Sequence, residues 1–259
     1  GAKWEEGTDY LNPAQRKRMF ESVKRMVRDY KDEPYLLMWV LGNENNYGGV
    51  HGIVGGAGNA GQHPDAYYRF LNELATWIHK ADPDHPVAVG NGEWLFLDRI
   101  ASHAPAIDIF GANVYRGWHG VGRSFFEAVR RTLDKPVLIT EFGCPAYQLG
   151  QPRETAERAQ ALYHLGNWVD LADNLGGRGV GNAIGGVAFE WSDEWWKAGQ
   201  PPRFSPTVQE TVYNWPGPFP GGHMFEEWLG VVSQGDGSRS PFLRQLRPSY
   251  RLYQQMWQD

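Results

Sequence analysis

Apolar residues along this chain recur with two alternating periods, one helical and one short and continuous. After Asn12 and Pro13, a plausible N-cap and first turn, Phe20, Val23, Met26, Val27 and Tyr30 recur at helical spacing. The apolar run Tyr35 to Leu41 reads as a buried strand. A Gly-rich loop from Gly48 to Gly61 follows, then a helix from near Pro64 with Phe70, Leu71, Leu74, Trp77 and Ile78 on one face. The strand Pro86 to Gly90, a short helix near Leu95 to Ala101 and the strand Ile107 to Asn113 come next. A helix capped by Ser124, carrying Phe125, Val129 and Leu133, leads to the strand Pro136 to Glu141. The last clear pair is a helix from about Arg153 to Leu175 and the strand Ile184 to Trp191. Beyond it, a segment rich in Pro and aromatics precedes a final helix near Leu246 to Trp257.

Five short apolar strands separated by helices imply parallel pairing with right-handed crossovers. Periodicity leaves a doubly wound open sheet and a segment of a (β/α)₈ barrel both standing. Polar groups at the carboxyl ends of the strands favour the barrel: Asn43 and Glu44, Asn91 and Glu93, Asn113 and Tyr115, Glu141, then Glu190 and Trp191. In a barrel these ends converge on one pocket.

Composition narrows the partners. With 259 residues and 41% hydrophobic content the chain can bury a sizeable core. A net charge of -5 with scattered Lys and Arg argues against nucleic acid and anionic membranes. No apolar run reaches the length of a membrane span, and Gly1 to Asp9 hold no signal-peptide core, so a soluble protein of unspecified compartment is expected. The single cysteine, Cys144, excludes an internal disulfide and reads as a small buried residue. The eight histidines form no H-x-x-x-H pair, so no metal and no cofactor are expected. The letters Gly56-Ala-Gly58-Asn-Ala-Gly61, with Asp82 farther on, imitate a dinucleotide loop. They lie some fifteen residues past the strand end at Leu41, too far for the tight first turn such a loop needs.

Two glutamates each follow an apolar strand with a glycine beside them: Glu44 in Leu37-Met-Trp-Val-Leu-Gly-Asn43-Glu44, and Glu141 in Val137-Leu-Ile-Thr-Glu141-Phe-Gly143. Glycoside hydrolysis needs one carboxyl to protonate the leaving oxygen and a second to attack the anomeric carbon or activate water. These runs, in this order, resemble the retaining glycosidases of clan A, in particular the barrel domain of family 2 and its relatives. Trp39 to Glu44 is similar to the fourth-strand motif, which implies Glu44 as acid/base and Asn43 as a sugar ligand. Ile139 to Gly143 is similar to the seventh-strand motif, which implies Glu141 as nucleophile. Asn113-Val-Tyr115 matches the sixth strand, and Trp191 matches the eighth-strand tryptophan under the sugar.

The resemblance covers about residues 15 to 195 and implies a (β/α)₈ barrel of which residues 1–259 carry strands four to eight. Residues 1–12 are then a loop after a missing third strand, 192–230 a long aromatic loop, and 231–259 the segment of the last helix. Trp195, Trp196, Phe204, Tyr213, Trp215 and Phe219 in the aromatic loop are candidate sugar-stacking surfaces, and His119 and His223 candidate contacts to sugar hydroxyls, each also readable as a solvated loop residue. The implied activity is hydrolysis of a β-linked glycoside with retention, the carboxyls standing about 5 Å apart. Transglycosylation uses the same intermediate. A non-catalytic carbohydrate-binding barrel and a nucleotide-dependent oxidoreductase are the readings from other classes. The expected partners are a carbohydrate and, to close the sheet, a missing N-terminal barrel portion or another copy of the chain.

Overall fold

The computed structural model describes residues 7–50, 58–197, 208–213, 215–234 and 244–258. Five strands form one sheet in the order β1 (Trp39–Leu41), β2 (Val87–Gly92), β3 (Ile109–Asn113), β4 (Val137–Phe142), β5 (Ala183–Ala188). β1 pairs parallel to β2 with Trp39 opposite Val87, and β2 parallel to β3 with Ala88 opposite Ile109. Each neighbouring pair is joined through a helix: α2 (Pro64–Ala81), α3 (Leu97–His103), α4 (Arg123–Leu133) and α5 (Arg153–Asp173). α1 (Pro13–Tyr30) precedes the sheet and α6 (Pro248–Met256) ends the chain. This is the α/β order that the alternating periods imply.

The boundaries shift where pairing, not hydrophobicity, decides. The apolar run at Tyr35 forms a strand only from Trp39, whose N–H donates to the Pro86 carbonyl. Tyr35 and Leu37 stay exposed before it. The last strand likewise ends at Ala188, three residues short of Trp191. The aromatic segment carries two two-residue strands, β6 (Trp215–Pro216) and β7 (His223–Met224), paired antiparallel, and β8 (Val232–Ser233) pairs with β9 (Gln245–Leu246). The last helix starts only at Pro248, which takes its first turn.

The chain divides into two compact units. The first comprises residues 1–114, 123–140 and 175–185. Its α1 opens as expected: the Asn12 side chain accepts from the amides of Ala14 and Gln15, and Pro13 occupies the first turn. Only Val27 of the helix's apolar stripe is buried, while Met26 and Tyr30 face solvent. In α2 most of the stripe is used, with Tyr67, Tyr68, Phe70, Leu71, Leu74, Ala75 and Ile78 buried and Trp77 half-buried. All six residues of β2 and all five of β3 are buried, as expected of parallel strands covered on both faces.

The second unit comprises residues 115–122, 141–174 and 186–259. Its centre is a cluster of Cys144, Tyr163, Phe219, Met224 and Leu229, with Tyr115 and Phe189 against it. Gly143 is required there, because a Cβ at that position would meet the Phe189 carbonyl oxygen at 1.9 Å.

Candidate active site

In the first unit, the chain leaving β1 turns sharply at Gly42 (φ +78°) and again at Glu44, whose φ of 55° is left-handed. A non-glycine residue held there is strained, a common mark of a functional position. The turn is pinned on both sides of the glutamate. Asn43 N–H donates to Asn45 Oδ1 (2.8 Å), and Glu44 N–H donates to the Gly90 carbonyl at the end of β2 (3.0 Å). Asn46, fully buried, donates to the Gly92 carbonyl (2.9 Å) and accepts the Gly92 N–H (2.7 Å). The acid-bearing turn is thereby tied to the next strand by a reciprocal side chain to backbone pair.

Asn43 is held in turn. Asn113 Nδ2 donates to Asn43 Oδ1 (3.0 Å), and Thr140 Oγ1 donates to Asn113 Oδ1 (2.7 Å). Each amide therefore has its oxygen and nitrogen ends assigned by a neighbour. Two residues singled out from the sequence, Asn43 and Asn113, are brought into direct contact. Thr140 and Asn46 were missed. Thr140 had a signal, standing immediately before Glu141 in the strand; Asn46 had none.

Trp39 and Asp82 fill structural roles. Trp39 is buried, and its indole N–H donates to Asp82 Oδ2 (2.7 Å), which His85 also approaches (2.9 Å). Burial alone would raise the Asp82 carboxyl, but these bonds hold it below the usual carboxylate range. That acid is committed to the fold, as the position of the Gly-rich run already argued. Residues 56 and 57 of that run lie outside the described residues.

In the second unit, Tyr115 O–H donates to Glu141 Oε2 at 3.0 Å. Tyr115 is positioned by packing, its ring 6.2 Å from that of Phe219, which stacks on Tyr163. Trp191 has a different neighbour: it is 64% exposed and meets Tyr250 of α6 edge-on at 5.8 Å. The aromatic residue against the Tyr115 cluster is Phe189, two residues earlier.

Around Phe189 lies a charge group that no local motif marked. Lys197 Nζ stands 4.2 Å over the Phe189 ring and bridges Glu194 (2.9 Å) and Glu226 (3.0 Å). Burial pushes the Glu190 carboxyl up to about 9; Lys197 opposes this, and Glu194 and Glu226 reinforce it. The Lys197 ammonium is bonded to Glu194 and Glu226, and burial is the main cause that holds the Glu190 carboxyl above the usual carboxylate range.

The aromatic loop divides. Trp195 and Phe219 are buried, whereas Trp196, Tyr213 and Trp215 are exposed. Phe204 lies outside the described residues. His119 is exposed against Trp118, and His223 bonds the Gly221 carbonyl and packs on Tyr213. Cys144 is buried and free, and its burial pushes the thiol well up. Among the described residues no three of His, Cys, Asp or Glu gather as a metal site, and no helix is long and apolar enough to cross a membrane.

A parallel α/β sheet with glutamates, amides and a tyrosine at its carboxyl strand ends marks a barrel-type α/β protein. The chain belongs to the glycosyl hydrolases family 2, TIM barrel domain, which matches residues 2–176. It is 27% identical over 217 residues to a probable mannan endo-1,4-β-mannosidase C of Aspergillus terreus, covering 73% of this chain and 49% of that protein. It is 26% identical over 180 residues to a β-galactosidase of Aeromonas hydrophila, covering 70% of this chain and 12% of that one. The chain thus spans about half the length of the first of these relatives and far less of the second. Among solved structures, a β-D-glucuronidase of Dictyoglomus thermophilum superposes with TM-score 0.59 at 15% identity, covering 99% of this chain and 38% of that one. An exo-β-1,4-mannosidase of Opitutaceae bacterium strain TAV5 gives 0.60 at 17%, covering 96% and 41%. These likenesses establish the fold.

Proposed function

We propose that this chain carries the catalytic carboxylates of a retaining β-glycosidase, with β-mannosides the first linkage to test. The observation that carries the reading is the hydrogen bond from Tyr115 to Glu141, which orients a carboxylate at the carboxyl end of β4. In the first step a Glu141 oxygen bonds to the anomeric carbon as the glycosidic C–O bond breaks. The leaving oxygen takes a proton from Glu44. In the second, water attacks the same carbon, gives its proton to Glu44, and the ester to Glu141 breaks. Asn43, steadied by Asn113 and Thr140, is suited to bind a sugar hydroxyl with its free amide nitrogen end. A sugar hydroxyl arriving in place of water would give transglycosylation.

The test is turnover of β-mannoside, β-galactoside and β-glucuronide substrates, with the anomer of the first product followed by proton NMR. Glu141→Ala should cost several orders of magnitude, and azide should restore part of the activity as the inverted glycosyl azide. An inverted first product, or an intact fold without azide rescue, overturns the nucleophile assignment.

The same reading includes the rest of the barrel. β1 and β5 end the sheet order, and Val40, Ile184 and Val187 on them are exposed. Exposed apolar strand edges invite pairing, and we infer that the remaining strands of a family 2 barrel, from the same polypeptide, cover them. Co-expression with such a segment should raise the unfolding midpoint and the activity together. A stable, fully active monomer without it, or a dimer in which a second copy covers the edges, would refute this.

A further inference from the structure

Beside the elements that hold Glu141, the second unit contains a pocket of about 370 Å³, within the range of small-molecule sites, about 300–1,000 Å³. Its apolar walls are Tyr147, Trp195 and Trp228, the first and last stacked at 4.8 Å between ring centroids. Gln151, Gln245 and Ser233 add polar groups that can both donate and accept.

Two wall groups are unsatisfied among the described residues, the Trp195 indole N–H and Arg247 Nε. Trp195 is 4% exposed, and its indole N–H has no acceptor among the described residues. An indole N–H is a donor only, and leaving it buried and unpaired costs free energy that an incoming hydroxyl or carbonyl oxygen would remove.

The charges in the wall cancel. Arg247 is forked onto Asp193, with both bonds 2.6 Å, and Arg153 is bonded to Glu157 (2.7 Å) and to Gln245 (2.6 Å). With each guanidinium's charge already facing a carboxylate, the pocket offers an anion little uncompensated positive charge. Aromatic faces, mixed donors and acceptors, and orphan donors suit a neutral polyhydroxylated ring.

We propose that this pocket is a second carbohydrate-binding site that takes a single neutral hexose unit. Such a site is independent of hydrolysis, and binding, not turnover, tests it. Titration calorimetry with D-mannose, D-galactose, D-glucose and D-glucuronate on the intact protein should reveal one site for a neutral hexose. Its Kd should rise about tenfold in Trp195→Phe, which keeps the ring and removes the N–H, the scale of one lost hydrogen bond. Gln151→Leu, an exposed position that leaves folding intact, should do the same, and Glu141→Gln should leave this Kd unchanged. The proposal is overturned if no neutral hexose binds, if the Kd moves with Glu141→Gln but not with Trp195→Phe, or if glucuronate binds more tightly than every neutral hexose. Absence of turnover in an unmodified protein that still binds the hexose would count against the hydrolytic reading alone.

Discussion

Replacing Arg247 by methionine removes the cation that buried Asp193 and half-buried Glu157 face. Arg247 is 2% exposed; its Nη1 and Nη2 each lie 2.6 Å from an Asp193 oxygen, its Nε lies 3.6 Å from Glu157, and it also donates to the Gly230 carbonyl. Without it Asp193 keeps, among the described residues, the bonds from Gln209 and the Gly230 amide. Burial already pushes the Asp193 carboxyl up, with Arg247 pulling the other way. Breaking a buried ion pair by removing one partner costs about 3–5 kcal/mol, while the Gly230 carbonyl still accepts from Gln160 Nε2 (3.1 Å). Against a typical total of about 5–15 kcal/mol, that loss is large. The double variant Arg247→Met, Asp193→Leu removes both charges, and apolar replacement of a whole buried pair is often nearly neutral. It should recover most of the loss. Urea titration followed by fluorescence of the twelve tryptophans reads both. A single variant losing less than about 1 kcal/mol would refute the reasoning, as would a double variant no better than the single one.

His164 is fully buried with its Nδ1 2.8 Å from the Tyr253 hydroxyl, and burial holds its pKa down to about 4 from 6.5. The unfolded chain therefore takes up a proton that the folded one refuses, so stability should fall by up to about 3 kcal/mol as pH drops from 6.5 towards 4. Thermal melts across that window should show this slope, and His164→Gln should flatten it. Gly166→Ala would stabilise an ordinary helix by about 0.5–1 kcal/mol. Here the new Cβ would meet the Trp118 carbonyl oxygen at 1.7 Å, so a loss of about 1–3 kcal/mol in the same melts is expected. Asn46→Leu should lower kcat about tenfold or more with little change in KM, since it frees the turn that carries Glu44 without touching substrate; an unchanged kcat would dismiss the positioning role.

What the sequence revealed was local. The Asn12-Pro13 helix start, the stripe of α2 and the glutamates just beyond apolar runs are each set by neighbours within a few residues. What it hid depends on partners far along the chain. Asn46 meets Gly92 at a separation of 46, Asn43 meets Asn113 at 70, and Arg247 meets Asp193 at 54. Composition does not encode such pairs. Strand length failed for the same reason: Tyr35 and Leu37 have strand-forming side chains but no neighbouring strand to bond. Glu190 was legible as a strand-end acid, but Glu194 and Glu226 carried no signal, because only the fold gathers them on Lys197.

The left-handed backbone at Glu44 has an evolutionary consequence. For a side chain other than glycine that conformation costs roughly 1–2 kcal/mol, so the position is worse for the fold than a glycine would be. If Glu44 is the acid/base proposed above, stability and chemistry pull the same codon in opposite directions. Laboratory evolution that rewards heat resistance alone should drift towards Glu44→Gly, yielding a sturdier and catalytically silent protein, unless activity is screened in every round.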